Sequence, residues 1–269
     1  MKADFHMHTS FSSDSDTKPE EMIKQSIKLG LNTICFTDHY DKDYPRYKEK
    51  EEFQLETKRY FSEMKELQER YKNQIDIRIG VETGLQPHLG EFWNEFTKKY
   101  PFDFVIGSVH VVDGQDPYYG DFFEGRTDEE AYRQTFEETL IDIKQNSHFD
   151  VLGHIDYIVR YGKTKAEQYS YKKHADIIDE ILKCLIQHGK GIELNTAGLK
   201  YGLGFCHPHP DIIKRYKELG GEIITIGSDG HRPEHIAYDF QKVSDILKSC
   251  GFKVYTEFKG RKPIFRQLP

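Results

Sequence analysis

Histidines and acids stand at the ends of apolar runs throughout this chain. Ala3–His8, Thr33–His39, Ile75–Glu82, Phe104–His110, Val151–His154 and Ile223–Asp229 each close on a side chain that can bind a metal ion. In Asp4-Phe5-His6-Met7-His8, alternate side chains of a strand share a face, so His6 and His8 point together and can grip one ion. Asp4, on the same face and deeper, reads as an acceptor that orients a histidine ring. His39 ends the second run after Asp38, which is either a helix cap or a further outer acceptor. Glu82 sits in Gly80-Val81-Glu82-Thr83-Gly84, and the two oxygens of its carboxylate can serve two cations at once. Gly107-Ser108-Val109-His110, Gly153-His154 and Gly227-Ser228-Asp229-Gly230-His231 repeat the pattern with His110, His154, Asp229 and His231.

One histidine in such a place is ordinarily a packed or solvated side chain; the recurrence carries the argument. His6, His8, His39, Glu82, His110, His154, Asp229 and His231 are too many ligands for one tetrahedral ion. Two or three divalent cations sharing carboxylates are expected, and a mixed imidazole and carboxylate set suits Zn²⁺, Mn²⁺ or Fe²⁺. Clustered cations lower the pKa of bound water and neutralise the non-bridging oxygens of a phosphoryl group. Metal-dependent hydrolysis of a phosphate ester is the reaction this set explains most directly.

A phosphate dianion also calls for an arginine, whose planar fork matches two oxygens. Arg160, in the segment Tyr157–Lys163 beyond His154, is the preferred clamp, and Arg232, directly after His231, is the other choice. Tyr161, Asn195 and His207 are candidates for contact with the rest of the substrate.

Such a ring of ligands needs strands that present their carboxyl ends to one mouth. Strands are predicted at 3–8, 33–37, 75–81, 104–109, 150–153, 191–195 and 223–227, with Lys253–Phe258 as an additional one. Helices are predicted from Pro19 to Gly30 and over 49–71, 89–100, 127–146, 170–188, 210–219 and 236–250. This alternation implies a mostly parallel sheet with right-handed crossovers, and ligands at nearly every strand end favour closure. An open doubly wound sheet would gather ligands chiefly at one switch point. The expected fold is α/β, a (β/α)7 barrel spanning 1–269 as a single domain, with its metal site at the strand carboxyl ends.

The chain has 269 residues and a formal net charge of −7, from 45 acids and 38 bases. No dominant basic face for nucleic acid is expected from that balance. No signal peptide opens the chain and no apolar stretch approaches the ~18 residues of a membrane span. Cys35, Cys184, Cys206 and Cys250 form no CxxC pair, and Cys35 and Cys184 read as small buried hydrophobes. A reducing cytoplasm suits them. No coiled-coil seam marks an exposed helix, so oligomeric state stays open.

The segments Asp4–His8, Thr37–His39, Gly80–Gly84, Gly107–His110, Gly153–His154 and Gly227–His231 together resemble the polymerase and histidinol phosphatase (PHP) superfamily, in that family's order. The chain's length and the acidic insert after residue 41 resemble its stand-alone histidinol-phosphate phosphatases. The resemblance implies a distorted seven-stranded barrel with three ions. It assigns His6, His8, Glu82 and Asp229 to one ion, Glu82, His110 and His154 to a second, and His39 and His231 to a third. The third ion's remaining ligand is often a histidine in relatives; here the position holds Asp14, with Asp16 as the competing choice. The implied reaction is hydrolysis of a small phosphate monoester, L-histidinol phosphate, by metal-activated hydroxide. Arg160 would stabilise the transferring group, and Asp229 or His39 would protonate the leaving oxygen. A protein-tyrosine phosphatase, a 3′–5′ exonuclease and a metal-binding protein without turnover are the alternatives.

Overall fold

The structure, a computed structural model, describes residues 1–47 and 52–269. Its strands are β1 (Ala3–Asp4), β2 (Thr33–Phe36), β3 (His39–Tyr40), β4 (Asp76–Gly84), β5 (Phe104–Ser108), β6 (Val151–Leu152), β7 (Gly191–Asn195), β8 (Ile224–Gly227), β9 (Val254–Lys259) and β10 (Lys262–Gln267). The path β1-β2-β4-β5-β6-β7-β8 is parallel, with β3 pairing to β4. Phe5 N–H donates to Ile226 O at 2.9 Å and His8 N–H to Gly230 O at 2.9 Å, bringing the β1 segment against β8. The sheet of seven strands is thus nearly closed into a barrel with helices around it.

The helices are α1 (Pro19–Lys28), α2 (Thr57–Tyr71), α3 (Gly90–Lys99), α4 (Asp128–Gln145), α5 (Ala175–Gln187), α6 (Ala197–Lys200), α7 (Pro210–Glu218) and α8 (Phe240–Ser249). Each longer one follows from local chemistry. Pro19 opens α1 with a preset φ and no N–H to leave unsatisfied. Thr127 and Glu130 form a reciprocal capping box at the start of α4. In α5, Ile177, Ile178, Ile181, Leu182 and Leu185 recur at helical spacing and are buried. Trp93, Phe36, Phe104, Phe136 and Phe149 are among the largest fully buried side chains. Each such side chain contributes roughly 1.5–3 kcal/mol by leaving water. No helix among the described residues is long and apolar enough to cross a membrane.

Several boundaries differ from the sequence expectation. The helix expected over 49–71 begins at Thr57; its expected residues 49–51 lie outside the described ones. The strand expected over 3–8 pairs with β2 only through Asp4, because the chain then leans towards β8. The helix expected over 170–188 opens as a tight 3-10 turn, Tyr171–His174, before α5. The terminal run pairs in antiparallel register with β10, outside the barrel. That hairpin covers the amino ends of the strands: Thr256 Oγ1 accepts from Ile224 N–H, Arg261 pairs with Asp150, and Phe258 packs 5.0 Å from Phe104. One mouth is therefore closed, and the carboxyl ends form the open one. The short β3 and α6 were not foreseen, since elements this brief carry no readable period.

Candidate metal centre

The open mouth gathers the ligand-type side chains from separate strands. His6, His8 and Glu82 are fully buried. Glu82 Oε2 lies 3.1 Å from His6 Nε2, 3.4 Å from His8 Nε2 and 3.1 Å from His39 Nδ1. Its other oxygen, Oε1, lies 3.0 Å from His154 Nε2 and 3.3 Å from His110 Nε2. Asp229 Oδ1 faces His8 Nε2 at 3.5 Å and His6 Nε2 at 3.9 Å. Asp14 and Asp16 are both exposed, and Asp14 is the one that reaches the rings, its Oδ2 2.9 Å from His231 Nε2 and 3.7 Å from His39 Nε2. Potential ligand atoms of His6, His8 and Asp229, of His6, Glu82 and His154, and of His8, His39 and His231 each lie within 4.8 Å of one another. A further such group joins His39, Asp41 and His110.

The hydrogen bonds behind these rings show what the front atoms can accept. Ser12 Oγ donates its proton to Asp38 at 2.7 Å, so it can only accept from His8 Nδ1 at 3.2 Å. His8 is therefore protonated at Nδ1 and offers a lone pair at Nε2. His6 Nδ1 donates to Glu193 at 2.6 Å, so Nε2 is the nitrogen turned to the mouth. The two Nε2 atoms face each other at 3.0 Å beside Glu82 and Asp229. Imidazole nitrogens and carboxylates converging on one point are the donors a cation would take. The His8 ring also packs against His39 and His231, with centroids 4.1 Å and 4.2 Å away. Three imidazoles packed this closely cannot all carry protons. Burial, then His39 and His231, hold His8 well below the ordinary imidazole range. Burial would raise Glu82, but His6, His39 and His110 hold it well below the usual carboxylate range. His8 and Glu82, kept unprotonated near neutral pH among further imidazoles and carboxylates, fit divalent metal ions.

Asp4 does not orient a ring, contrary to expectation. It accepts from Ser228 N–H and hydroxyl and from Ala237 N–H, tying β1 to the loop after β8. Asp38 gathers Thr9 and Ser12, so it organises the first turn rather than capping a helix. Asp229 adopts φ 51°, and Lys200 Nζ holds its carbonyl at 2.9 Å. This left-handed conformation is uncommon for a residue other than glycine and aims the carboxylate back into the mouth.

Above the cluster opens a cavity of about 490 Å³. Arg160, Tyr161 and Arg232 line it, as do Asp14, His39, Asp229 and His231. The Arg160 guanidinium carbon lies 4.6 Å, 4.8 Å and 4.3 Å from the ring centres of Tyr157, Tyr161 and Tyr201. Asn195 and His207, expected as substrate contacts, are absent from the described lining. Both are fully buried: Asn195 donates to Glu193, and His207 Nδ1 pairs with Asp156 at 2.6 Å. Asn195 at its strand end and His207 in the segment before α7 both turn into the wall instead of the mouth.

Sequence reasoning missed Ser12, Asp41 and Glu193 behind the rings. Asp41 accepts from His110 Nδ1 at 2.9 Å. Glu193 was detectable as a lone acid inside the apolar strand Gly191–Asn195. It also missed Asp116 and Tyr44, joined to each other on the cavity wall.

A family model described as the PHP domain matches residues 4–197. A histidinol-phosphatase of Lactococcus lactis subsp. lactis is 33% identical over 268 residues, covering 97% of this chain and 96% of its own. A probable histidinol-phosphatase of Thermotoga maritima is 32% identical over 271 residues, covering 98% and 99% of the two chains. The crystal structure of histidinol phosphate phosphatase from L. lactis, complexed with zinc, L-histidinol and phosphate, matches this fold with a TM-score of 0.88 at 33% identity, over 98% of each chain. With most of the chain covered by the family model and nearly all of it by these relatives, this protein belongs to the PHP domain family.

Proposed function

We propose that this protein is a divalent-metal-dependent phosphomonoesterase whose substrate is L-histidinol phosphate, converted to L-histidinol and phosphate. The observation that carries the reading is Glu82, whose two oxygens face separate sets of imidazoles below a cavity that Arg160 lines. The L. lactis relative, similar along nearly its whole length, carries zinc, L-histidinol and phosphate in its crystal structure.

In this reading the chain, 1–269, works as one catalytic domain with three ion positions. His6, His8, Glu82 and Asp229 form the first, Glu82, His110 and His154 the second, and Asp14, His39 and His231 the third. Zinc, manganese and iron all suit these donors. When bound, such ions lower the pKa of water and neutralise phosphoryl oxygens. The chain does the rest. Arg160 binds two phosphoryl oxygens through its planar fork, with Arg232 at the rim as a second cation. The three tyrosines around Arg160 hold its guanidinium in one orientation and exclude water from its faces. Water adds to phosphorus, the bond from phosphorus to the ester oxygen breaks, and that oxygen takes a proton. Asp229 and His39, both on the cavity wall, are the candidates to deliver it. Tyr161 contributes an aromatic surface to the organic part of the substrate. The net charge of −7 supports a small substrate over nucleic acid, and four buried free cysteines suit a reducing cytoplasm.

The test is purified, metal-loaded protein assayed on histidinol phosphate, a phosphotyrosine peptide and an oligonucleotide. Highest kcat/KM on histidinol phosphate is expected. Preference for either of the others overturns the substrate assignment.

A further inference from the structure

Glu193 is an acid on β7, 1% exposed, that the ligand set above leaves out. Each of its recorded hydrogen bonds is to a donor. Oε1 accepts from His6 Nδ1 at 2.6 Å; Oε2 accepts from His154 N–H at 3.1 Å and from Asn195 Nδ2 at 3.1 Å. A buried carboxylate is costly unless charge and hydrogen bonds offset its lost hydration. Here the offsetting charge is reached through the His6 ring, on the far side of which lies the proposed metal centre. Gly227 on β8 completes the fit. A Cβ there would collide with both Glu193 Oε1 and the His6 Cβ, so only glycine lets β8 approach this pair.

Two consequences follow for the ligands. The bond to Nδ1 keeps that nitrogen protonated and turns Nε2 towards Glu82, where an ion would take it, and it raises the basicity of Nε2. The bond to His154 N–H fixes the backbone from which the His154 ring reaches Glu82 Oε1 at 3.0 Å. Glu82 joins His6 and His154 from the front, and Glu193 joins them from behind. Asp14, His39 and His231 have no recorded contact with Glu193.

We propose that Glu193 is a positioning residue that sets the affinity of the ions held by His6 and His154 and leaves the Asp14–His39–His231 position unaffected. This rests on the reading of the cluster as a metal centre.

The experiment loads the full-length protein with zinc and titrates it with a chromophoric chelator, comparing wild type with Glu193→Gln. A glutamine has one acceptor oxygen for three donors, and its amide nitrogen must face one of them. Zinc at two positions is expected to bind ~10–100-fold more weakly, with the third position unchanged and the melting temperature of metal-free protein preserved. Unchanged release overturns the proposal. So does equal weakening at every position together with a lower metal-free melting temperature, the mark of a merely structural role. Should Glu193→Gln fail to fold, Glu193→Asp keeps the charge and is judged by the same pattern. Wild-type protein that takes up no zinc would instead overturn the metal centre itself.

Discussion

Asp14 reaches His231 with its Oδ2 2.9 Å from Nε2, across the first turn of the chain and the loop after β8. An oxygen thus stands where the family often has a nitrogen donor. Asp14→Ala is expected to lose one metal equivalent and keep the others, because the imidazoles that Asp14 faces are those of His39 and His231. Elemental analysis checks this, and an undiminished metal content would remove Asp14 from the ligand set.

Glu82 is central to the cluster, and His39 is at one side of it. Glu82→Ala should therefore disturb two ions and His39→Ala one. The expected difference in kcat/KM is at least ~10-fold, or about 1.4 kcal/mol. Measured side by side with metal content, a full complement in Glu82→Ala would contradict a bridging role.

Arg160 lies among three tyrosines at the cavity wall. Arg160→Ala is expected to raise KM for the phosphate ester ~10–100-fold, the size of a lost charged hydrogen bond, while metal content holds. Arg160→Lys should restore little, since an ammonium lacks the planar fork. Wild-type KM in either variant would assign the phosphate clamp elsewhere, with Arg232 the next residue to change.

Asp142 on α4 is fully buried, and neither carboxylate oxygen has a hydrogen-bond partner among the described residues. Burial, then nearby Glu138, pushes its carboxyl up to about 8. A folded-state value above the unfolded one means that ionising Asp142 opposes folding. That cost is absent below the unfolded value of ~3.9, grows as pH rises, and is complete above about 8. Asp142→Asn should consequently stabilise the fold at pH 8 by on the order of a few kcal/mol, seen as a higher melting temperature, and leave it nearly unchanged at pH 4. Thermal melts of metal-free wild type and variant at both values test this; an equal gain at both would mean that ionisation is not the cause.

Much of this was legible before the structure. Strand ends marked by His39, Glu82, His110, His154 and Asp229 report the barrel mouth because residues at the carboxyl ends of parallel strands converge there. Repetition made each one informative. The hydrogen bonds behind the rings were not legible. Glu193 and Asp41 are far along the chain from His6 and His110 and meet them only once the barrel closes, and the Ser12 contact with His8 depends on how the turn between them folds. Asp4 misled because strict alternation fails where the chain leaves β2 for β8. Asn195 misled for a related reason: a strand end marks proximity to the mouth, not the direction of the side chain, and His207 had no strand end to place it.

The central claim is that metal ions held by the residues around Glu82 are needed for phosphate ester hydrolysis. Its most direct test follows zinc content and histidinol phosphate turnover in the same sample through exhaustive chelation and readdition. Turnover should vanish as the metal leaves and return when zinc, manganese or iron is restored. Full turnover by protein stripped of every divalent ion would contradict the account.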